Sequence, residues 1–440
     1  MDKILNKILL ILLLLLGGAL NFLPHLNYDY PMHVDEWVHF TYSKHISDNS
    51  PLYFGGESSS LELGFHNLLA VLSFFVPYLL MFKFLASLFT ILICLAIFIL
   101  VRRIWTERAA LFSVLFIVLL KSSVLLLGPM FVVPMSLGLF FIPIGLFLAM
   151  YNPKSLFLII ASLIIIHPPS AIALFLLINC YLIIERKNVK ELLFQQFLGA
   201  VLTIPFFLDF FKYHEFGLNY LNFDLGRGFI FIPRFIGIVF MILAILGLFV
   251  LNNKGKYVFV AYTLLLLGLV VSYFRFDFNV FIPYRRVLMY SFEAFAIFFG
   301  VGCSWIVSRF KKYRTIVLVV FIIFLISLNI SEKVDSTKKV YHLIENKDYN
   351  DFIWIKENTN GLVLVDPWKA IAFTPIVERT VYTRVLQGPN KIYEDKNAKV
   401  WEFFKNNCVD KNFLKNEKVS IVYGNCKNNL KKLRENIYSV

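Results

Sequence analysis

Five cysteines and eight histidines are few for 440 residues, and no two are spaced like a zinc site. Charge is scarce as well: Asp, Glu, Lys and Arg make up 16% of the chain, against 58% hydrophobic residues. A mean hydropathy of +0.70 excludes a soluble domain as the bulk of the molecule. No internal repeat is visible, which counts against a transporter built from inverted halves. Acids are outnumbered 29 to 43, giving a net charge of +14.

Runs of about twenty apolar residues recur along most of the chain, each long enough to cross a ~30 Å hydrocarbon layer. Such spans must be helical, because lipid cannot satisfy backbone hydrogen bonds. The first has a short basic start, Lys3 and Lys7, and no clean small-residue cleavage site follows it. It reads as a retained anchor rather than a signal peptide. The positive charge does not call for nucleic acid. Much of it lies in short loops, where the positive-inside rule places Lys and Arg in the cytoplasm.

Those basic loops set the expected topology. Arg102-Arg103 with Arg108, Arg186-Lys187 with Lys190, Lys254 with Lys256, and Arg309 with Arg314 read as cytoplasmic, together with the N-terminus. Lys154 is a weaker marker. Crossings are expected near 4–24, 84–101, 109–127, 130–150, 155–167, 171–184, 192–211, 229–251, 257–273, 287–307 and 315–330. That is about eleven, so the C-terminus lies outside. Residues 65–82 are apolar enough to span, but counting them would reverse every later loop. They read as an interfacial or re-entrant helix within a first external loop, 25–83. His167-Pro168-Pro169-Ser170 breaks 155–184 into a hairpin.

From Ser331 the chain turns polar. Gly361 to Asp366 and Lys418 to Tyr423 read as short buried strands, and 391–406 and 427–436 as helices. The fold class is therefore an α-helical polytopic membrane protein: a transmembrane domain over 1–330 and a small extracytoplasmic α/β domain over 331–440. Cys94, Cys180 and Cys303 sit in apolar spans as packing residues. Cys408 and Cys426 fall in the outer domain, where an oxidising compartment allows them to pair.

Chemistry is suggested first by Met32-His33-Val34-Asp35-Glu36-Trp37-Val38-His39-Phe40, just after the first span. Membrane anchoring has no use for an acidic pair and a histidine there. Residues 34–47 can form a helix lying on the bilayer, with Val34, Trp37, Val38, Tyr42 and Ile46 in lipid. Asp35, His39 and Ser43 then share the opposite face. A carboxylate there can act as a base, with Asp35 in that role and Glu36 assisting. The plainer reading is a surface helix with an Asp near its positive end.

Tyr284-Arg285-Arg286 precedes a span on the external side, against the positive-inside bias. A phosphate explains the pair, because guanidinium grips it through paired hydrogen bonds. The plainer reading is a snorkelling interfacial pair. Glu293, seven residues beyond Arg286, lies on the same face and inside the span. An ionisable group there costs roughly 2.5–3.5 kcal/mol unless paired or wet. Lys121, Arg234, His66 and His167 lie at the same level as supporting candidates. So does the loop from Lys212 to Gly228, with His214, Asp224 and Arg227.

The Asp35 segment and the topology together resemble the GT-C superfamily of membrane glycosyltransferases. Asp35-Glu36…His39-Phe40 is similar to the Asp-Glu-x-His-Phe segment of protein O-mannosyltransferases, with two residues, Trp37 and Val38, where that segment has one. The membrane region with its appended α/β domain resembles archaeal members. Gly128-Pro129 carries none of the acidic ligands of the oligosaccharyltransferase branch. The resemblance implies transfer of a sugar from a polyprenyl-phosphate donor to a hydroxyl on a glycan, lipid or protein acceptor. In that reading the donor phosphate sits near Tyr284, Arg285 and Arg286, and no metal or cofactor is expected. The rival classes are a transporter or flippase for a lipid-linked or anionic substrate, using Glu293 and Lys121, and a non-catalytic assembly protein for surface polymers.

Overall fold

The apolar runs fold into helices, as lipid requires. The computed structural model describes residues 2–48, 61–123, 126–213, 235–250, 254–276, 282–338, 342–385, 391–426 and 430–440. In chain order the first helices are α1 (Asp2–Phe22), α2 (Val34–Asp48), α3 (Leu63–Ser73), α4 (Tyr78–Ile104) and α5 (Glu107–Leu119). Next come α6 (Pro134–Tyr151), α7 (Leu156–Ile166), α8 (Pro168–Glu185), α9 (Val189–Leu202) and α10 (Ile204–Tyr213). The membrane part ends with α11 (Ile238–Val250), α12 (Lys254–Phe276), α13 (Tyr284–Arg309) and α14 (Arg314–Lys338).

The chain is a multi-pass membrane protein. Among the described residues, eight helical stretches are long and apolar enough to cross a bilayer. The count of eleven is not reached by such helices. The crossings expected at 109–127, 155–167 and 229–251 fall on α5, α7 and α11, of 13, 11 and 13 residues. At 1.5 Å per residue these reach only about 16–20 Å. The causes are local: α5 stops well before Gly128-Pro129, and His167-Pro168 separates α7 from α8. The stretch 65–82 is not one helix either. α3 ends at Ser73 and Pro77 precedes α4, so 11 residues stand where a span needs about twenty.

Two compact units emerge. The first comprises Met1–Tyr30, Ser59–Phe65 and Leu79–Val340; the second comprises Pro31–Ser58, His66–Tyr78 and Tyr341–Val440. In the first, α13 is the central helix, packed on α5, α11 and α12. Small residues let backbones meet there. A Cβ on Gly247 of α11 would lie 1.8 Å from the Phe298 carbonyl oxygen of α13. One on Gly302 would lie 2.2 Å from the Leu243 carbonyl oxygen.

The second unit holds α15 (Asn346–Asn358), β1 (Leu362–Val365), α16 (Lys369–Val377), α17 (Lys391–Lys405) and α18 (Lys411–Asn416). It closes with β2 (Val419–Tyr423), β3 (Lys431–Arg434) and β4 (Ile437–Ser439). The sheet runs β1-β2-β4-β3, with β1 parallel to β2 and the other pairs antiparallel. Leu364, Val400, Phe403, Leu414 and Val422 form its core, and a Cys408–Cys426 disulfide lies in the same cluster.

The helix expected over 427–436 is overturned: among its described residues, Lys431–Arg434 is a strand. Glu435-Asn436 turns the chain into β4, with Asn436 at φ +64°. Asn is among the side chains that tolerate this left-handed conformation, and a two-residue turn then closes the hairpin.

Within this unit α2 packs on α16. Lys44 forms an ion pair with Glu378, and its Nζ donates to the Pro375 carbonyl at 3.2 Å. The expected lipid-facing stripe is thereby corrected: Trp37 is fully buried, stacked beside Phe40, which meets Tyr78. Tyr42 of the same stripe stacks on His66, and Val34, Val38 and Ile46 are half-buried.

Candidate functional site

The N-terminus of α2 is held by its own acid. The Glu36 and Trp37 amides donate to the His33 carbonyl, at 3.1 and 3.3 Å. Glu36 folds back so that Oε2 accepts from the Met32 and His33 amides at 2.7 and 2.9 Å. Its side chain is completely buried. This is capping-box logic, in which a first-turn carboxylate satisfies amides ahead of the helix. Glu36, expected to assist catalysis, thus spends its Oε2 on the backbone.

Asp35 is different. Its side chain keeps 21% exposure. Its amide donates to His33 Nδ1 at 3.1 Å, so that nitrogen is an acceptor and the imidazole proton belongs on Nε2. The 3.7 Å approach of the same Nδ1 to Asp35 Oδ2 is then not a charged pair. His33 sets the turn that presents Asp35, a role the sequence reading did not assign to it.

His39 and His66 come together. His39 Nδ1 and His66 Nε2 are 2.9 Å apart, and the Tyr42 ring stacks on His66 at 4.8 Å. Two ring nitrogens this close can share one proton or, with both unprotonated, serve together as metal ligands. Burial pushes the His66 imidazole from 6.5 down to about 3. The folded chain therefore keeps His66 neutral where the unfolded chain takes a proton. Stability is full above pH 6.5 and is lost as pH falls through the window between 6.5 and about 3. By pH 5 the loss should be about 2 kcal/mol. Denaturation of the purified protein at pH 7.5 and 5 checks this, with His66→Gln flattening the dependence. Equal pH slopes in both proteins would remove His66 as the cause.

In the membrane unit, Tyr284, Arg285 and Arg286 form the first turn of α13. Tyr284 is buried and stacks on Tyr273 at 4.3 Å, and Arg285 Nε donates to its hydroxyl at 3.1 Å. Arg286 is half-buried and meets no carboxylate among the described residues. Two cations at a positive helix end repel that end's dipole, and an anion relieves this. The expected link from Glu293 to Arg286 is absent: both Glu293 carboxyl oxygens are buried with no hydrogen-bond partner among the described residues.

The remaining candidates are accounted for locally. His167 Nδ1 lies 2.6 Å from Ser170 Oγ and 3.3 Å from the Tyr290 hydroxyl, tying the Pro-Pro break to α13. Lys121 is buried and paired with Glu332. Lys333, unnoticed at the polar end of the last span, is more deeply buried. It donates to Asn21 Oδ1 and the Leu120 carbonyl, at 3.2 and 2.6 Å. Arg227, Arg234, His214 and Asp224 lie outside the described residues.

No protein-family model matches the chain, and no curated protein matches it. Solved structures do. The oligosaccharyltransferase of Archaeoglobus fulgidus, tethered to an acceptor peptide containing the NVT sequon, is similar at TM-score 0.65. The match covers 96% of this chain and 69% of that one, at 10% identity. Oligosaccharyltransferase AglB from the same archaeon, in complex with an inhibitory peptide and a dolichol-phosphate, gives 0.55 over 96% and 69%, at 12% identity. ArnT from Cupriavidus metallidurans gives 0.52 over 86% and 85%, at 10% identity. These are membrane glycosyltransferases of the GT-C superfamily, and this chain has their fold.

Proposed function

We propose that the chain is a membrane glycosyltransferase, moving a sugar from a polyprenyl-phosphate donor to an acceptor hydroxyl on the extracytoplasmic side. The observation that carries the reading is the division of labour in the acidic pair. Glu36 is locked into the backbone while Asp35, next to it, keeps an accessible carboxylate. The fold supports it, and AglB was solved with a dolichol-phosphate, a lipid carrier of the proposed kind.

In this reading Asp35 takes the proton from the acceptor hydroxyl. The hydroxyl oxygen bonds to the anomeric carbon as the bond from that carbon to the phosphate oxygen breaks, through an oxocarbenium-like transition state. The phosphate leaves with the electron pair, and Arg285 and Arg286 stabilise its charge. A single displacement inverts the anomeric centre. The test incubates membranes containing the protein with labelled polyprenyl-phosphate sugars and follows label into acceptors. No transfer from any such donor would sink the reading.

Arg286 tests the donor side. Lysine keeps the charge and loses the planar fork, so Arg286→Lys should lower donor use about tenfold, and Arg286→Ala about thirtyfold. Wild-type rates in both variants across donor concentrations would make the pair an interfacial anchor. The transport reading rests on the Glu293 carboxylate, which has no hydrogen-bond partner among the described residues. Movement of a lipid-linked sugar across sealed vesicles without covalent transfer would favour it.

A further inference from the structure

Two buried histidines from different helices face each other, His39 in the second turn of α2 and His66 in the first turn of α3. The nitrogens that meet are His39 Nδ1 and His66 Nε2, 2.9 Å apart. The Tyr42 ring lies 9° from parallel on His66 and holds the plane of that imidazole. A carboxylate converges on the same pair. Glu62 comes one helical turn before His66, and the Phe65 amide, donating to the Glu62 carbonyl at 3.0 Å, closes that turn. One ligand atom from each of His39, Glu62 and His66 lies within 4.8 Å of the other two. A hydrogen bond between two imidazoles needs no carboxylate beside it, so the third group asks for another explanation.

The donor set narrows the occupant. Two imidazoles and a carboxylate suit a divalent transition metal, whereas magnesium and calcium take oxygen ligands. A four-coordinate ion with bonds of about 2.0–2.2 Å keeps its ligands roughly 3.3–3.5 Å apart. The rings then part by about half an ångström and Glu62 swings in by about 1 Å, movements on the scale of a side-chain torsion. His167 Nε2 stands 3.8 Å from Glu62 Oε1, with His167 Nδ1 2.6 Å from Ser170 Oγ, and such outer groups orient ligating carboxylates. We infer that His39, Glu62 and His66 form a binding site for a divalent transition metal of the zinc type, with a fourth position open to water. The ion fastens the start of α3 to α2, one turn from Asp35. The site stands apart from the expectation of no metal and does not depend on sugar transfer.

The experiment uses the full-length protein, purified without a polyhistidine tag, stripped with chelator and titrated with Zn²⁺, Co²⁺ or Mg²⁺. Elemental analysis should find one zinc per chain, and excess Mg²⁺ should not displace it. Zinc should raise the melting temperature, because it binds the folded chain through ligands that only the fold brings together. Bound Co²⁺ should give the visible absorption of a four-coordinate ion, a readout that needs no variant. His39→Gln and Glu62→Gln should each weaken zinc by more than the roughly 10–100-fold that losing an outer-shell partner costs. Glu62 is partly exposed, so Glu62→Gln keeps the test open if His39→Gln fails to fold. A cobalt spectrum identical to that of the free aqueous ion would overturn the site. So would a zinc stoichiometry and affinity that survive both substitutions, since the metal would then be held elsewhere.

Discussion

Asp35→Asn is expected to cut sugar transfer by roughly 10²–10⁴-fold, the usual contribution of a positioned base. The substitution keeps shape and removes the charge. The side chain is partly exposed and the replacement is isosteric, so yield and melting temperature should hold. Glu36→Gln is the control. It weakens two charge-assisted bonds to the Met32 and His33 amides, costing about 1.5–3 kcal/mol of stability, and should spare more of the transfer. The measurement is transfer of label from a polyprenyl-phosphate sugar, normalised to folded protein. Near wild-type transfer by Asp35→Asn would take the base assignment away.

The second large effect concerns stability. Cys408 and Cys426 are joined across 18 residues, a segment that includes α18 and β2. Closing a loop of this size removes chain entropy from the unfolded state worth about 3 kcal/mol. The sheet has only four short strands, so little else replaces that constraint. Cys408→Ser should make the stretch 391–426 sensitive to protease under conditions where the full-length wild type resists. Reductant should do the same to the wild type and nothing further to the variant. Identical cleavage of both proteins would show that the bridge adds no stability.

The fold was legible wherever one physical demand governs many residues. Apolar length marks the long spans, and the Pro168-Pro169 pair marks the split between α7 and α8, because both follow from backbone hydrogen bonding. Strands β1 and β2 were visible as short apolar runs. What failed depends on contacts distant in sequence. Trp37 on an amphipathic stripe looks the same whether lipid or protein covers it. The β3–β4 hairpin turns on Glu-Asn, a weaker signal than Asn-Gly, and its charged strand reads equally as a helix. Asp35 stood out because charge is rare there. Glu36 beside it carries the same charge, and only its hydrogen bonds to Met32 and His33 separate the two. Lys333 was hidden because a lysine at the end of a span is ordinarily solvated.

The packing of α2 against α16 also sets a schedule for synthesis. About 320 residues separate the end of α2 from the start of α16. At ribosomal rates of about 5–20 residues per second, α2 is complete roughly 15–65 seconds before its cover exists. Throughout that interval the face of α2 that packs on α16 has no cover, although the membrane helices between are already being made. The nascent chain must shelter this helix, in the lipid interface or on a chaperone, until the last quarter of the protein arrives. Truncation before Lys369 should therefore leave a membrane-inserted protein with a sticky, protease-sensitive segment near its N-terminus, far from the cut.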